Sequence, residues 1–117
     1  MTSEVKLTVG AGLEQGLRGF VDAWHRAETG DYSRQVRVLS FESWAALSAV
    51  LTPERVRLLK HVHDHPERSV NALATSLDRQ YRRVHEDVQV LERAGLVDRS
   101  DGQVRATADK LTAEIAL

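Results

Sequence analysis

Residues 53–105 contain start and stop signals for three short helices and then a two-stranded hairpin, with no gap between them. Thr52 and Pro53 form a helix start, because threonine can cap free backbone amides and proline favours the first helical position. Apolar residues then repeat at helical spacing until Pro66, and a residue before proline avoids helical backbone angles. The first helix of this region is therefore predicted over about residues 53–64.

Two further helices and a hairpin follow. Ser69 can cap a helix with apolar residues at helical spacing to Leu77. The next helix is predicted from about Asp78 to Ala94, where a glycine ends it, and Asp101-Gly102 is a strong hairpin signal. This order is typical of a winged helix-turn-helix. The expected fold class is thus mainly α with a small β wing, an α+β architecture.

The first 51 residues are predicted as a strand-helix-strand extension. Alternating Val5, Leu7 and Val9 indicate a strand, and a second strand-like run follows near Val36. Ser40 is expected to cap a short helix. The apolar face of that helix is predicted to be Trp44, Leu47, Val50 and Leu51. We therefore expect two domains, an extension for dimerisation or partner binding at 1–51 and a winged helix-turn-helix at 52–117.

An amphipathic helix is predicted between the two strands, with apolar residues at offsets of 0, 4, 7, 8 and 11 from Leu13. Aromatic residues are only 5% of the chain, and aromatic anchors dominate interface energetics. The best candidates for a partner or dimer interface are therefore Leu17, Phe20 and Trp24.

The helix predicted at 78–94 begins with three arginines, Arg79, Arg82 and Arg83. A cation in a first helical turn faces the positive end of the helix dipole, which is mildly destabilising. A bound anion such as DNA phosphate would offset that repulsion, and a rule broken locally often marks function. At 100° per residue, the core face of this helix is centred on Val84, Val88 and Leu91. Arg79 and Arg82 are expected to point away from that face, and Arg83 is expected to lie on its flank. Gln80 and Tyr81 are expected to face sideways or inward.

These arguments predict contacts with double-stranded DNA. Gln80 is included because a first-turn side chain can reach past the helix end. Ser69 and Asn71 lie near the start of the preceding helix, and Arg99 and Arg105 flank the hairpin turn. The predicted DNA-binding residues are Ser69, Asn71, Arg79, Gln80, Arg82, Arg83, Arg99 and Arg105.

A solvated helix face is the alternative for the arginine cluster. Arg82 could pair with Glu86, and Arg83 with Asp87, at a spacing of four residues. Arg79 has no acidic partner at that spacing. The formal net charge of −1 also leaves open a winged helix that binds protein instead of DNA.

Other functional classes find little support in the sequence. His61 and His65 lie one helical turn apart and could share a metal ion, but Pro66 is expected to fray that turn, so no metal is predicted. No catalytic motif is present, and neither an enzyme nor a cofactor is expected. The chain has no cysteine, no basic and apolar leader and no membrane-length apolar run, which together favour the cytoplasm.

Several segments together resemble a family of small prokaryotic winged helix-turn-helix regulators described as antitoxin-like. This resemblance covers about residues 36–117. More distantly, the chain is similar to dimeric winged-helix repressors of the multiple-antibiotic-resistance and arsenic-resistance kinds. The segments are Phe41-Glu42-Ser43-Trp44, Leu51-Thr52-Pro53-Glu54-Arg55, Ser69-Val70-Asn71-Ala72-Leu73-Ala74, Val84-His85-Glu86-Asp87-Val88 and Leu91-Glu92-Arg93-Ala94-Gly95-Leu96-Val97. Leu77-Asp78 stands where many relatives have a glycine. For residues 107–117 both a strand and a short helix remain open.

The resemblance implies a homodimeric DNA-binding repressor that regulates its own operon and neutralises a toxin encoded beside it. A symmetric dimer would present two recognition helices about 34 Å apart on a palindromic operator. The expected function is therefore sequence-specific transcriptional regulation. The alternative is a protein-interaction module that binds a partner such as a toxin without reading DNA.

Overall fold

The computed structural model describes residues 2–10, 34–115 and 117. These ranges are mixed α and β, in agreement with the expected α+β class. In chain order the described elements are β1 (Thr2–Val9), β2 (Arg34–Phe41), α1 (Trp44–Val50), α2 (Pro53–Asp64), α3 (Val70–Leu77), α4 (Tyr81–Arg93), β3 (Val97–Asp98), β4 (Arg105–Ala106) and β5 (Lys110–Ile115).

The chain divides into two units, one of Met1–Ala49 with Ala108–Leu117 and one of Val50–Thr107. The first boundary lies within two residues of the division predicted at 51/52. The second differs from the prediction, because residues 108–117 group with the N-terminal unit and not with the helices. The reason is β5, which pairs with β1.

The N-terminal unit contains a parallel sheet in the order β2-β1-β5. The alternation that predicted β1 is confirmed, because Val5, Leu7 and Val9 are buried on one face. The opposite face is polar, and its groups are paired across strands. The pairs are Glu4 with Thr112, Lys6 with Glu114, and Thr8 with Ser40.

Two expectations for the short helix α1 are wrong. Ser40 does not cap it, because Ser40 lies in β2, where its hydroxyl is 2.9 Å from that of Thr8. The cap is Ser43, whose Oγ accepts a hydrogen bond from the Ala46 amide at 3.1 Å. Trp44 was placed on the apolar face, but it is 52% exposed.

In the unit of residues 50–107, α2 has the predicted bounds and the predicted Thr52 cap. Ser69 also caps α3 as predicted, since its Oγ accepts from the Ala72 amide at 3.0 Å. The core of this unit is formed by apolar side chains from all three helices and from the segment after β3. Its fully buried members include Leu58, Val62, Leu73, Val84, Val88, Leu91 and Val104.

The helix predicted from Asp78 begins later, at Tyr81. Asp78 adopts left-handed backbone angles (φ 53°, ψ 48°) and ends α3. The amides of Asp78 and Arg79 donate back to the carbonyls of Thr75 and Ala74, which satisfies the last turn of α3. Asp78 thus adopts the conformation for which glycine is favoured, and the chain needs two more residues before α4 begins.

The predicted hairpin is confirmed: β3 and β4 pair antiparallel, with Val97 opposite Ala106. Asp101 and Gly102 form its turn with positive φ of 56° and 75°. The segment between α2 and α3 joins this hairpin, because Glu67 and Val104 exchange backbone hydrogen bonds of 3.0 and 2.6 Å. Within the described ranges, no helix is long and apolar enough to cross a bilayer.

Candidate nucleic-acid interface

The first turn of α4 is basic and exposed. Arg82 and Arg83 are solvent-exposed, and Tyr81 is 51% exposed. Gln80 occupies the N-cap position in an extended conformation, but its side chain makes no capping hydrogen bond, and the turn contains no acidic residue. Neither a side-chain cap nor an acid therefore offsets the positive end of the α4 dipole.

The opposite face of α4 holds the helix in place. Val84, Val88 and Leu91 are fully buried, as the spacing predicts. Asp87 lies on the same side and is only 8% exposed. The packing fixes the rotation of α4, so Arg82 and Arg83 point to solvent.

Asp87 is the centre of an ion network that joins α4 to α2 and to the turn before α4. Its Oδ1 accepts from Arg55 Nε at 3.0 Å, and its Oδ2 lies 2.9 Å from Arg79 Nη1. Arg79 Nε is also 3.7 Å from Glu54, and Arg55 Nη1 donates to the Val50 carbonyl at 3.2 Å. This network contains more cations than the single buried carboxylate can neutralise alone.

The network corrects the reasoning about the three arginines. Arg79 has no acidic partner at a spacing of four residues, but its side chain pairs with Asp87, eight residues away, and is only 20% exposed. Asp87 was a possible partner of Arg83, but it binds Arg55 and Arg79 instead. These contacts come from residues distant in sequence or just outside the helix, which spacing within one helix does not test.

Arg82 and Arg83 form no ion pair with any residue in the described ranges, and the alternative pairing of Arg82 with Glu86 is not formed. An open depression of about 460 Å³ lies beside Arg83 and is lined by Glu54, Arg79 and Gln80 as well. The cationic groups free to meet an external anion at the start of α4 are therefore Arg82 and Arg83.

The remaining predicted DNA contacts lie elsewhere in the same unit. Ser69 caps α3, so its Oγ is already an acceptor, whereas Asn71 is exposed in the first turn of α3. Arg99 is exposed at the hairpin. Arg105 is half-buried and donates from Nη2 to Gln103 at 2.8 Å, and its buried Nε has no hydrogen-bond partner among the described residues.

Sequence reasoning missed one feature of this surface. Tyr81 was expected to face sideways or inward, but its ring is exposed and stacks on His85, with ring centroids 5.6 Å apart. The available signal was the spacing of four residues, which places two rings on neighbouring turns of one helix face.

One of the histidines near the end of α2, His61, is engaged with a carboxylate. His61 Nε2 lies 2.8 Å from Glu67 Oε1, and Ser76 donates to the same oxygen at 3.0 Å. The hydrogen bond from His61, together with that from Ser76, lowers the pKa of Glu67 despite partial burial. The rings of His61 and His65 are 5.7 Å apart. Among the described residues, no group of three potential metal ligands is found.

The predicted interface residues Leu17, Phe20 and Trp24 lie outside the residues that the structure describes.

Comparison with known proteins gives a family but no characterised relative. The chain matches the family HVO_A0114 over residues 50–113, which is more than half of its 117 residues. No curated protein matches it significantly, and no solved structure does.

Proposed function

We propose that this chain, which belongs to the HVO_A0114 family, is a sequence-specific DNA-binding transcriptional regulator. In this proposal residues 50–107 act as a winged helix-turn-helix, with α3 and α4 as the helix-turn-helix and α4 in the major groove. The β3–β4 hairpin is the wing.

The backbone arrangement supports this assignment. The left-handed residue Asp78 ends α3, and α4 begins at Tyr81 after a short turn. The bridge between Glu67 and Val104 ties the hairpin to the segment that precedes α3. A wing anchored in this way belongs to the same unit of the chain as the helix proposed to read DNA.

The observation that carries the proposal concerns Arg82 and Arg83, in the uncapped first turn of α4, which form no ion pair within the part of the chain that the structure describes. Exposed cations beside free backbone amides form an arrangement that binds phosphate. The fold has acidic residues that could neutralise them, but Asp87 is turned inward to bind two other arginines. The positive field at this turn is therefore left for an external partner.

Two further DNA contacts are proposed because the side chains concerned are exposed. Asn71 can reach phosphate near the start of α3, and Arg99 can do so from the wing. Arg105 instead supports the wing through Gln103. With a net charge of −1, nonspecific DNA affinity should be modest, so useful operator binding would depend on a dimer. An antitoxin-like repressor that controls its own operon is the specific form we propose.

The test is a titration by fluorescence anisotropy against DNA from upstream of its own gene, at several salt concentrations. Replacing both Arg82 and Arg83 by glutamine should weaken binding and reduce the salt slope by about 1–2, since each phosphate contact contributes roughly 0.9. The matched control is Lys60→Gln with Arg93→Gln, which removes the same charge from exposed positions outside this turn. Equal effects of the two double variants would refute a specific role for the first turn.

Protein binding is the second candidate, and the exposed Tyr81 favours it, because aromatic side chains are frequent anchors of protein interfaces. Under that reading, the native chain shows no salt-dependent binding to any upstream fragment. Tyr81→Ala would then abolish its binding to the product of a neighbouring toxin-like gene, whereas Arg93→Gln would not.

A further inference from the structure

We propose that β5 is a self-association surface at which two copies of this chain pair their β5 strands antiparallel about a twofold axis at Thr112. β5 forms one edge of the parallel sheet, and within the described ranges it pairs only with β1. An edge strand presents a row of backbone donors and acceptors that another strand can complete. The inference concerns the N-terminal unit and does not depend on DNA binding.

The side chains of β5 are complementary to themselves in this register. With Thr112 opposite its own copy, Lys110 lies opposite Glu114 of the second copy, and the twofold axis creates the same pair again. Lys110 and Glu114 are both exposed, and Glu114 is 2.8 Å from Lys6 within its own chain. Opposite charges placed directly across antiparallel strands are stabilising.

The apolar face of the strand fits the same register. Leu111 lies opposite Ala113 of the second copy. Ile115 of the second copy is then the diagonal neighbour of Leu111, at a distance that large side chains can span. Ala113 and Ile115 are exposed, Ile115 by 52%. Pairing would therefore cover apolar surface on one face and join charges on the other.

The opposite edge of the sheet does not offer this complementarity. β2 contains two arginines, Arg34 and Arg37, and no acidic residue. No register of β2 with its own copy can therefore place opposite charges across the two strands, which is the stabilising arrangement. This charge pattern favours β5 over β2 as the strand that self-associates. It also favours a second copy of the chain as the partner of β5.

Cysteine trapping tests the register, because the chain has no cysteine of its own. Residues directly opposite in an antiparallel pair have Cα atoms about 4.5–5.5 Å apart, within disulfide range. Thr112→Cys should therefore form a covalent dimer under mild oxidation. Leu111→Cys should not, since the two copies of residue 111 would be about 8 Å apart. A dimer trapped through Ala113→Cys but not Thr112→Cys would overturn the proposed register.

A charge swap tests the interface without relying on Thr112, whose hydroxyl binds Glu4. Sedimentation velocity of the full chain should show a concentration-dependent dimer. Lys110→Glu should raise its dissociation constant about tenfold or more, because two attractive pairs become repulsive. Adding Glu114→Lys should restore dimerisation, and the control Lys60→Glu should leave it unchanged. A monomer at all concentrations, or no rescue by the second substitution, would refute the proposal.

Discussion

Replacing Asp87 by asparagine should lower the free energy of unfolding by about 2–3 kcal/mol. The substitution keeps the shape of the side chain but removes its charge. Asp87 is 8% exposed and faces Arg55 and Arg79, whose side chains are 17% and 20% exposed. Asparagine would leave two cations close together with no buried anion between them.

The expected loss in the free energy of unfolding follows from the burial of these three side chains. Removing one partner from a fully buried ion pair costs about 3–5 kcal/mol, because the other charge is left uncompensated. Arg55 and Arg79 are about one fifth exposed, so their guanidinium groups can partly regain water and the cost should lie below that range. The control is Glu54→Gln, since Glu54 is about half exposed and lies 3.7 Å from Arg79. Exposed pairs contribute about 0–1 kcal/mol.

Urea unfolding at neutral pH measures the difference in unfolding free energy between each variant and the native chain. With a slope of about 1–3 kcal/mol per molar urea, Asp87→Asn should lower the midpoint by roughly 1–2 M, whereas Glu54→Gln should change it little. Replacing Arg55, Asp87 and Arg79 together by apolar residues of similar volume should be closer to neutral than Asp87→Asn, because no charge is left unpaired. An Asp87→Asn effect no larger than that of Glu54→Gln would refute the reasoning.

Three other perturbations test neighbouring features. Arg82→Gln with Arg83→Gln should raise the free energy of unfolding by about 0.5–1.5 kcal/mol in urea titrations, since two cations leave an uncapped helix start; a loss of stability would contradict this. Ser69→Ala should cost about 1 kcal/mol by thermal unfolding because α3 loses its cap, whereas Ser69→Thr should cost a few tenths. Glu67→Gln should cost about 1 kcal/mol at neutral pH. Because the folded-state pKa of Glu67 is lowered, that difference should shrink as pH falls below ~4.3, and a constant difference would contradict it.

Local signals predicted much of the unit at 50–107. Thr52, Ser69 and the Asp101-Gly102 pair each act through backbone groups within a few residues, so the sequence around them is sufficient. The core face of α4 was also predicted, because helical periodicity determines which residues share a side. These features need no knowledge of distant contacts.

The errors have two causes, which are contacts with residues distant in sequence and a left-handed backbone conformation at a residue that is not glycine. The Asp87 carboxylate has possible partners within α4, but Arg55, 32 residues away, and Arg79 bind it instead. The start of α4 moved because Asp78 takes a left-handed conformation that closes the preceding helix. The placement of residues 108–117 depended on the pairing of β5 with β1, which local pattern does not determine.

The pairing of β1 with β5 has a consequence for biosynthesis. Ser3 and Asp109 are 106 positions apart, yet the Ser3 amide donates to the Asp109 carboxylate. On a ribosome, the second neighbour of β1 is made only after all the described helices and the hairpin, because β5 follows them in the sequence. Residues 50–107 are continuous and can form their core before β5 is made. Contacts so far apart in sequence form slowly, so the sheet should be the last part of the chain to mature and the part most exposed to misassembly.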